Sequence, residues 1–244
     1  MSGHSKWHNI QKTKGAADAK KAKIFTKYAR EMAIAIKEGG GADPNSNSKL
    51  AAVISRAKSE NVPNDNIKRT LDKYKSGAAA ENYEHVTYEG YGPGGVAVLV
   101  DALTDNKNRT VAEVRHYLDK YGKGMGQSGC VSWQFAKKGV IVVDGEDLDE
   151  EEVMMQALDC GAEDFSAEEG IFEITTDPDE FDTVREAIVA AGLPILEASV
   201  QMVPSTWVEL TNEDDIKNMR KMLEIMDEND DIQNVWHNWD EPEN

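Results

Sequence analysis

The chain has 244 residues and a formal net charge of −18 at pH 7, with 40% hydrophobic and 30% charged residues. That apolar content supports a packed core and excludes a fully disordered chain. Apolar runs such as Val96–Val100 fall far short of the ~20 residues a membrane span needs. The opening Met1-Ser2-Gly3-His4-Ser5-Lys6 lacks the apolar stretch of a secretory signal, so the expected location is the cytoplasm.

Residues 1–15 are polar and basic and hold His4, Trp7 and His8. A helix is predicted from about Ala16 to Lys37, stopped by Gly39-Gly40-Gly41. Asn45-Ser46-Asn47 offers N-caps for a second helix with Leu50, Val53, Ile54 and Ala57, broken at Val62-Pro63-Asn64. A third carries Ile67, Leu71 and Tyr74 at helical spacing, and Ser76–Ala80 reads as a linker. Strands are then expected at His85–Tyr91 and Gly95–Leu103, a helix at Asn108–Tyr121, and strands at Gly129–Phe135 and Gly139–Val143. The rest reads as helix Asp149–Cys160, a short strand near Glu163–Ser166, strand Ile171–Thr175, helix Pro178–Ala191 and strand Ile195–Val203. Strand Trp207–Leu210, helix Glu213–Asp227 and strand Ile232–His237 close the chain.

This order predicts an α+β protein: an N-terminal three-helix domain followed by two ferredoxin-like α/β domains, one inserted in the other. The expected domains are residues 1–78, residues 79–138 with 205–240, and an inserted 139–204. Lys137-Lys138 and Pro204-Ser205 mark the crossing points.

The charge is unevenly placed along these segments. Residues 1–75 carry 16 Lys+Arg against 7 Asp+Glu, a net of +9. Residues 76–138 carry 7 of each, and residues 139–244 carry 4 against 31, a net of −27. An acidic total argues against nucleic acid; the distribution reverses that inference for the N-terminal part alone.

Several apparent motifs dissolve on inspection. Gly90-Tyr91-Gly92-Pro93-Gly94-Gly95 satisfies G-x-G-x-x-G, but a strand follows where a dinucleotide fold needs a helix, so it reads as a turn between strands. His4 and His8 have helical ligand spacing, yet no third ligand lies near them, so no metal is expected. Cys130 and Cys160 form no C-x-x-C and read as reduced thiols. The acidic run Glu146–Glu152 reads as a solvated face, because acid/base catalysis needs an isolated carboxyl in apolar surroundings. No enzyme activity and no cofactor are expected.

The strongest signal is the basic N-terminus. Residues 1–37 carry nine cations, among them Lys6, Lys12, Lys14, Lys20, Lys23, Lys27 and Arg30, against Asp18 and Glu31. At 100° per residue, Phe25, Tyr28, Met32 and Ile36 gather on one face of the first helix, and Lys20, Lys23, Lys27 and Arg30 on a face about 160° away. Such a stripe is the electrostatic footprint of phosphate binding. Trp7, His4 and His8 would add stacking or sugar contacts. Lys107, Arg109 and Arg115, around the start of the predicted 108–121 helix, are secondary phosphate candidates. The plainer reading there is that Asp105 or Asn106 caps the helix and the arginines pair with acids.

Four segments together resemble the YebC/PmpR family: Gly3-His4-Ser5-Lys6-Trp7, Lys23-Ile24-Phe25-Thr26-Lys27, Tyr88-Glu89-Gly90-Tyr91-Gly92-Pro93-Gly94-Gly95, and Asp105–His116. Gly161-Ala162-Glu163-Asp164 and Pro204-Ser205-Thr206 fit as well, whereas Trp236-His237-Asn238-Trp239 stands outside the resemblance. The resemblance implies an N-terminal helical domain, two α/β domains and no enzymatic activity. It also implies DNA-binding transcriptional regulation, with a ribosome-associated translation factor touching ribosomal RNA as the alternative. Nucleic acid is therefore the expected partner, and a basic protein or the ribosome is expected for the acidic domain.

Overall fold

The computed structural model describes residues 17–76, 82–168 and 170–241, with the backbone alone for residues 17–22 and Ser59. The predicted residues His4, Lys6, Trp7, His8, Lys12 and Lys14 lie outside the described residues, and so does the 77–80 stretch of the linker. The chain divides into two compact units. One comprises the described residues up to Ser132 together with Leu210–His237; the other comprises Trp133–Glu209 and the segment from Asn238.

The first unit begins with three helices: α1 (Ala17–Glu38), α2 (Ser48–Ser59) and α3 (Asn64–Lys75). Asn47 caps α2, its side-chain oxygen accepting from the Leu50 amide while its Nδ2 donates to the carbonyls of Ala35 and Gly41. One buried side chain thus ends α1 and starts α2. Tyr28, Met32 and Ala35 of α1 pack with Leu50, Val53, Ile54, Ala57, Val62 and Ile67. Phe25 and Ile36 border this core, so the apolar face read from the sequence is the packed face.

Next in this unit come β1 (Glu84–Tyr91), β2 (Ala97–Thr104), α4 (Lys107–Tyr121) and the short β3 (Gly124–Met125). The glycine-rich segment is the hairpin connection, with a single 3₁₀ turn at Pro93–Gly95. Gly94 there has φ 63°, and a Cβ would sit 2.2 Å from Leu210 Cδ2, so backbone and space both require glycine.

The second unit then intervenes with β4 (Phe135–Asp144), α5 (Glu150–Asp159), β5 (Asp164–Glu168), β6 (Ile171–Thr176), α6 (Phe181–Ala190), β7 (Ile195–Pro204) and β8 (Val208–Glu209). The chain returns to the first unit for α7 (Glu213–Glu228) and β9 (Ile232–His237), and ends with β10 (Trp239–Asp240) in the second.

The first unit's sheet has the order β3-β1-β2-β9, with every pairing antiparallel. Helices α4 and α7 pack against each other and against this sheet. They contribute Val114 and Leu118 from one and Met219, Met222 and Met226 from the other, all fully buried. The second unit's sheet has the order β5-β6-β4-β7, also antiparallel, built from a β-α-β-β-α-β sequence of elements. Ile141, Val143, Phe172 and Ile174 face Val153, Ala157, Val184 and Ile188 of its two helices.

Two expectations need correction. The strand expected at Trp207–Leu210 to complete the split domain pairs instead, as β8, with β10 in the second unit, so the first unit's sheet departs from the ferredoxin-like order expected for it. The strand predicted at Gly129–Phe135 is a loop ending in a 3₁₀ turn at Ser132–Gln134. Strand β4 instead runs unbroken through Lys137-Lys138, pairing with β7 from Phe135↔Pro204 onward, and the division between units falls at Ser132/Trp133. The loop is held differently: the Glu89 carboxylate accepts from the amides of Gly129 (2.7 Å), Val131 (2.8 Å) and Ser132 (2.8 Å). The C-terminal aromatics are structural. Trp236 lies opposite Leu99 in the β2–β9 ladder, and Trp239 is buried beside β8.

Candidate nucleic-acid interface

Helix α1 places Lys20, Lys23, Lys27 and Arg30 at successive turns, as its spacing predicted. The described side chains do not behave alike. Lys27 is half-buried. Lys23 reaches the end of α7, where its ammonium donates to the Asp227 carboxylate at 2.7 Å and to the Asp227 carbonyl. The Asp227 side chain is 69% exposed, so water screens this pair and its partner is exchangeable.

Arg30 is held inside the first unit. Its Nη1 donates to the carbonyls of Leu103 (2.9 Å) and Asp230 (2.6 Å) and to Asp231 Oδ1 (2.8 Å). The guanidinium also lies over the Tyr83 ring, 5.2 Å from its centroid. Only 13% of the Arg30 side chain and 5% of the Asp231 side chain remain exposed. Arg30 therefore ties the helical layer to the sheet and leaves the expected phosphate-binding stripe.

Asp231 is the hub of this contact. Its Oδ2 accepts from Arg109 Nη2 (2.6 Å) and from the hydroxyls of Thr110 (2.7 Å) and Thr104 (3.1 Å). Burial pushes the Asp231 carboxyl up, but the hydrogen bonds from Arg109, Thr110 and Arg30 outweigh it and hold the group below its ordinary value. Burial likewise pushes Glu89 up, and the amides of Gly129, Val131 and Ser132 outweigh it, with the same net direction.

The plainer of the two readings holds for the helix cap and for Arg109. Asn106 caps α4, its side chain accepting from the Arg109 amide. Arg109 is committed to Asp231 and Asp105, and Lys107 pairs with Glu84. Arg115 is exposed on α4. On the helical layer, Lys37, Lys58, Lys68, Arg69 and Lys75 are also exposed. Lys68 and Lys75 fall within about 20° on α3, an arrangement that a focus on the first helix passes over.

Sequence reasoning also missed Asp231, which sits in an acidic stretch that reads as solvated. A signal was present in its partner. Arg30 is the sole arginine among the nine cations of residues 1–37, and a planar five-donor guanidinium suits a buried multi-acceptor site better than lysine does. Among the described residues, no cluster of three or more His, Cys, Asp or Glu is placed to hold a metal, and no helix is long and apolar enough to cross a membrane.

Relatives are similar along the whole chain. A protein of Ruminiclostridium cellulolyticum described as a probable transcriptional regulatory protein is 54% identical, covering 100% of this chain and 98% of its own. One of Lachnoclostridium phytofermentans with the same description is 52% identical over 99% and 100%. A crystal structure of the conserved hypothetical protein Aq1575 from Aquifex aeolicus matches with a TM-score of 0.79 and 40% identity, covering 95% of each chain. Residues 5–77 match the TACO1/YebC N-terminal domain, and residues 83–239 match the TACO1/YebC second and third domain. With both family models matched in order and relatives alike from end to end, the chain belongs to the TACO1/YebC family.

Proposed function

We propose that this protein is a non-enzymatic, nucleic-acid-binding regulator of gene expression in the cytoplasm, most simply a DNA-binding transcriptional regulator. The observation that carries the reading is the net charge of +9 on residues 1–75 in a chain of net −18. The description of its relatives as probable transcriptional regulatory proteins supports it. The proposed surface combines His4, Lys6, Trp7, His8, Lys12 and Lys14 with Lys20, Lys23 and Lys27, and takes Arg115 as a secondary phosphate contact. Arg30 and Arg109 are left out because the buried Asp231 matches their charges, whereas Lys107, whose pair with Glu84 is as exposed as that of Lys23, stays with Arg115 as a secondary contact. Each phosphate neutralised releases counterions, so binding weakens as salt rises.

A second reading is a ribosome-associated translation factor that touches ribosomal RNA through the same cations. The net −27 of residues 139–244 favours it, since a chain with both a basic and an acidic stretch suits a particle built of RNA and basic proteins. Wild type and a variant with Lys6, Lys12, Lys14, Lys20 and Lys27 changed to Gln are compared over a salt series, by duplex-DNA binding and by co-sedimentation with ribosomes. The variant is expected to lose binding in the assay that reports the physiological target. Full binding by the variant in both assays overturns the proposed surface. Ribosome binding without DNA binding at physiological salt replaces transcription with translation.

A further inference from the structure

All eight exposed large hydrophobic side chains among the described residues lie within Trp133–Trp207, in the second unit. Four of them fall between Leu148 and Leu158, on α5 or just ahead of it. Met155 is 63% exposed, Leu158 50% and Met154 38%. At 100° per residue these three occupy an arc of about 100°, turned away from Val153 and Ala157, which face the sheet. Acids frame the stripe: Glu151 lies on it one turn earlier, Glu152 and Asp159 run along one edge, and Glu150 marks the other. Residues 133–209 carry 20 Asp+Glu against only Lys137, Lys138 and Arg185. Two of these cations are matched locally, Lys138 to Glu163 and Arg185 to Asp182.

From this face we propose that α5 is a docking surface for a basic amphipathic helix of a partner protein. The partner's apolar residues, at spacings of three and four, would pack on Met154, Met155 and Leu158, and its Lys and Arg would meet Glu151, Glu152 and Asp159. Methionines suit such a face because the unbranched side chain adapts to varied shapes. Charge selects this occupant over others. Nucleic acid and anionic membrane are repelled by the acids, and a second copy would set one strongly acidic unit against another. The inference goes beyond the nucleic-acid reading and does not depend on it.

The test uses the full chain and a fluorescent peptide of about 18 residues, five helical turns, of Leu and Lys in amphipathic order. A peptide of identical composition in scrambled order serves as control. Fluorescence anisotropy is expected to show the ordered peptide binding at least about tenfold more tightly than the scrambled one. The double variant Met155→Ser/Leu158→Ser is expected to lose about tenfold in affinity for the ordered peptide, with an unchanged circular dichroism spectrum and melting temperature. Glu151→Gln/Glu152→Gln/Asp159→Asn is expected to weaken binding and flatten its salt dependence. Equal affinity for the two peptides, or wild-type affinity in the Met155→Ser/Leu158→Ser variant, overturns the proposal. Self-association of the chain that the same double variant abolishes assigns the face to a second copy and also overturns it.

Discussion

In the first unit two carboxylates, Glu89 and Asp231, lie buried, each ringed by donors; in the second, whose Trp133–Glu209 stretch alone carries 20 acids, no described acidic residue is buried as a whole, though single oxygens of Glu168 and Asp240 are. The apolar surface runs the opposite way. The first unit keeps its large hydrophobic side chains covered, and the second shows eight of them. The first unit therefore uses charge as internal fastening between layers. The second folds around an apolar core, with Ile141, Ile174 and Ile188 at its centre, and leaves most of its acids at the surface. A carboxylate's sign says little about its role; whether donors surround it decides between fastening and surface.

The largest effect is expected where the fastening is removed. Asp231→Ala leaves Arg30 and Arg109 facing a buried site without their acid, and should cost about 3–5 kcal/mol, read by denaturant unfolding. Both buried carboxyls titrate below their ordinary values when folded. Their contribution is complete above the unfolded values near pH 4 and is lost as pH falls through the lowered folded ones. The wild type should thus lose stability below about pH 4, and Asp231→Asn should show a shallower loss in the same melting series.

Glu89→Gln should have the next largest effect, about 1–3 kcal/mol, because an amide NH₂ would face donors that now find a carboxylate. Faster hydrogen exchange at Gly129, Val131 and Ser132 would localise the damage, whereas unchanged exchange would deny Glu89 its role in holding the loop. A smaller effect is expected at His85, whose Nδ1 lies 2.9 Å from Asp101 Oδ1. The hydrogen bond to Asp101 outweighs burial and raises the imidazole above its ordinary value. Its contribution is full below about pH 6.5 and fades as pH rises through the higher folded value. The side chain is largely exposed, so the change should stay below about 1 kcal/mol, and His85→Gln should remove it. The smallest effect belongs to the second unit. Met155→Ser/Leu158→Ser should leave stability within about 0.5 kcal/mol of wild type, since these side chains cover no core. A larger loss would mean that the face is part of the fold.

Much of this architecture was legible because local signals agreed. Asn47 capped the second helix, apolar spacing set the packed face of the first, and Gly94 with Pro93 closed a hairpin rather than a cofactor loop. The loop at 126–132 was misread because Cys130-Val131-Ser132-Trp133 looks β-prone, while its shape is fixed by Glu89, some forty residues earlier. Such long-range hydrogen bonds leave no periodicity behind. The candidate site was only partly readable for the same reason. Helical spacing places Lys23 and Arg30 on the same face as Lys20 and Lys27, but nothing local announces that Asp227 and Asp231, two hundred residues later, meet two of them. The C-terminal aromatics show the converse, since segments that carried no motif turned out to be sheet and core.

Nucleic acid is expected to meet the N-terminal end of this chain, with the acidic unit kept off it. Hydrogen exchange of the full chain with and without duplex DNA or ribosomal RNA tests this directly, peptide by peptide. Protection on binding is expected to concentrate in residues 1–38 and to be absent from residues 139–204. Protection centred on 139–204, with residues 1–38 unchanged, would contradict it.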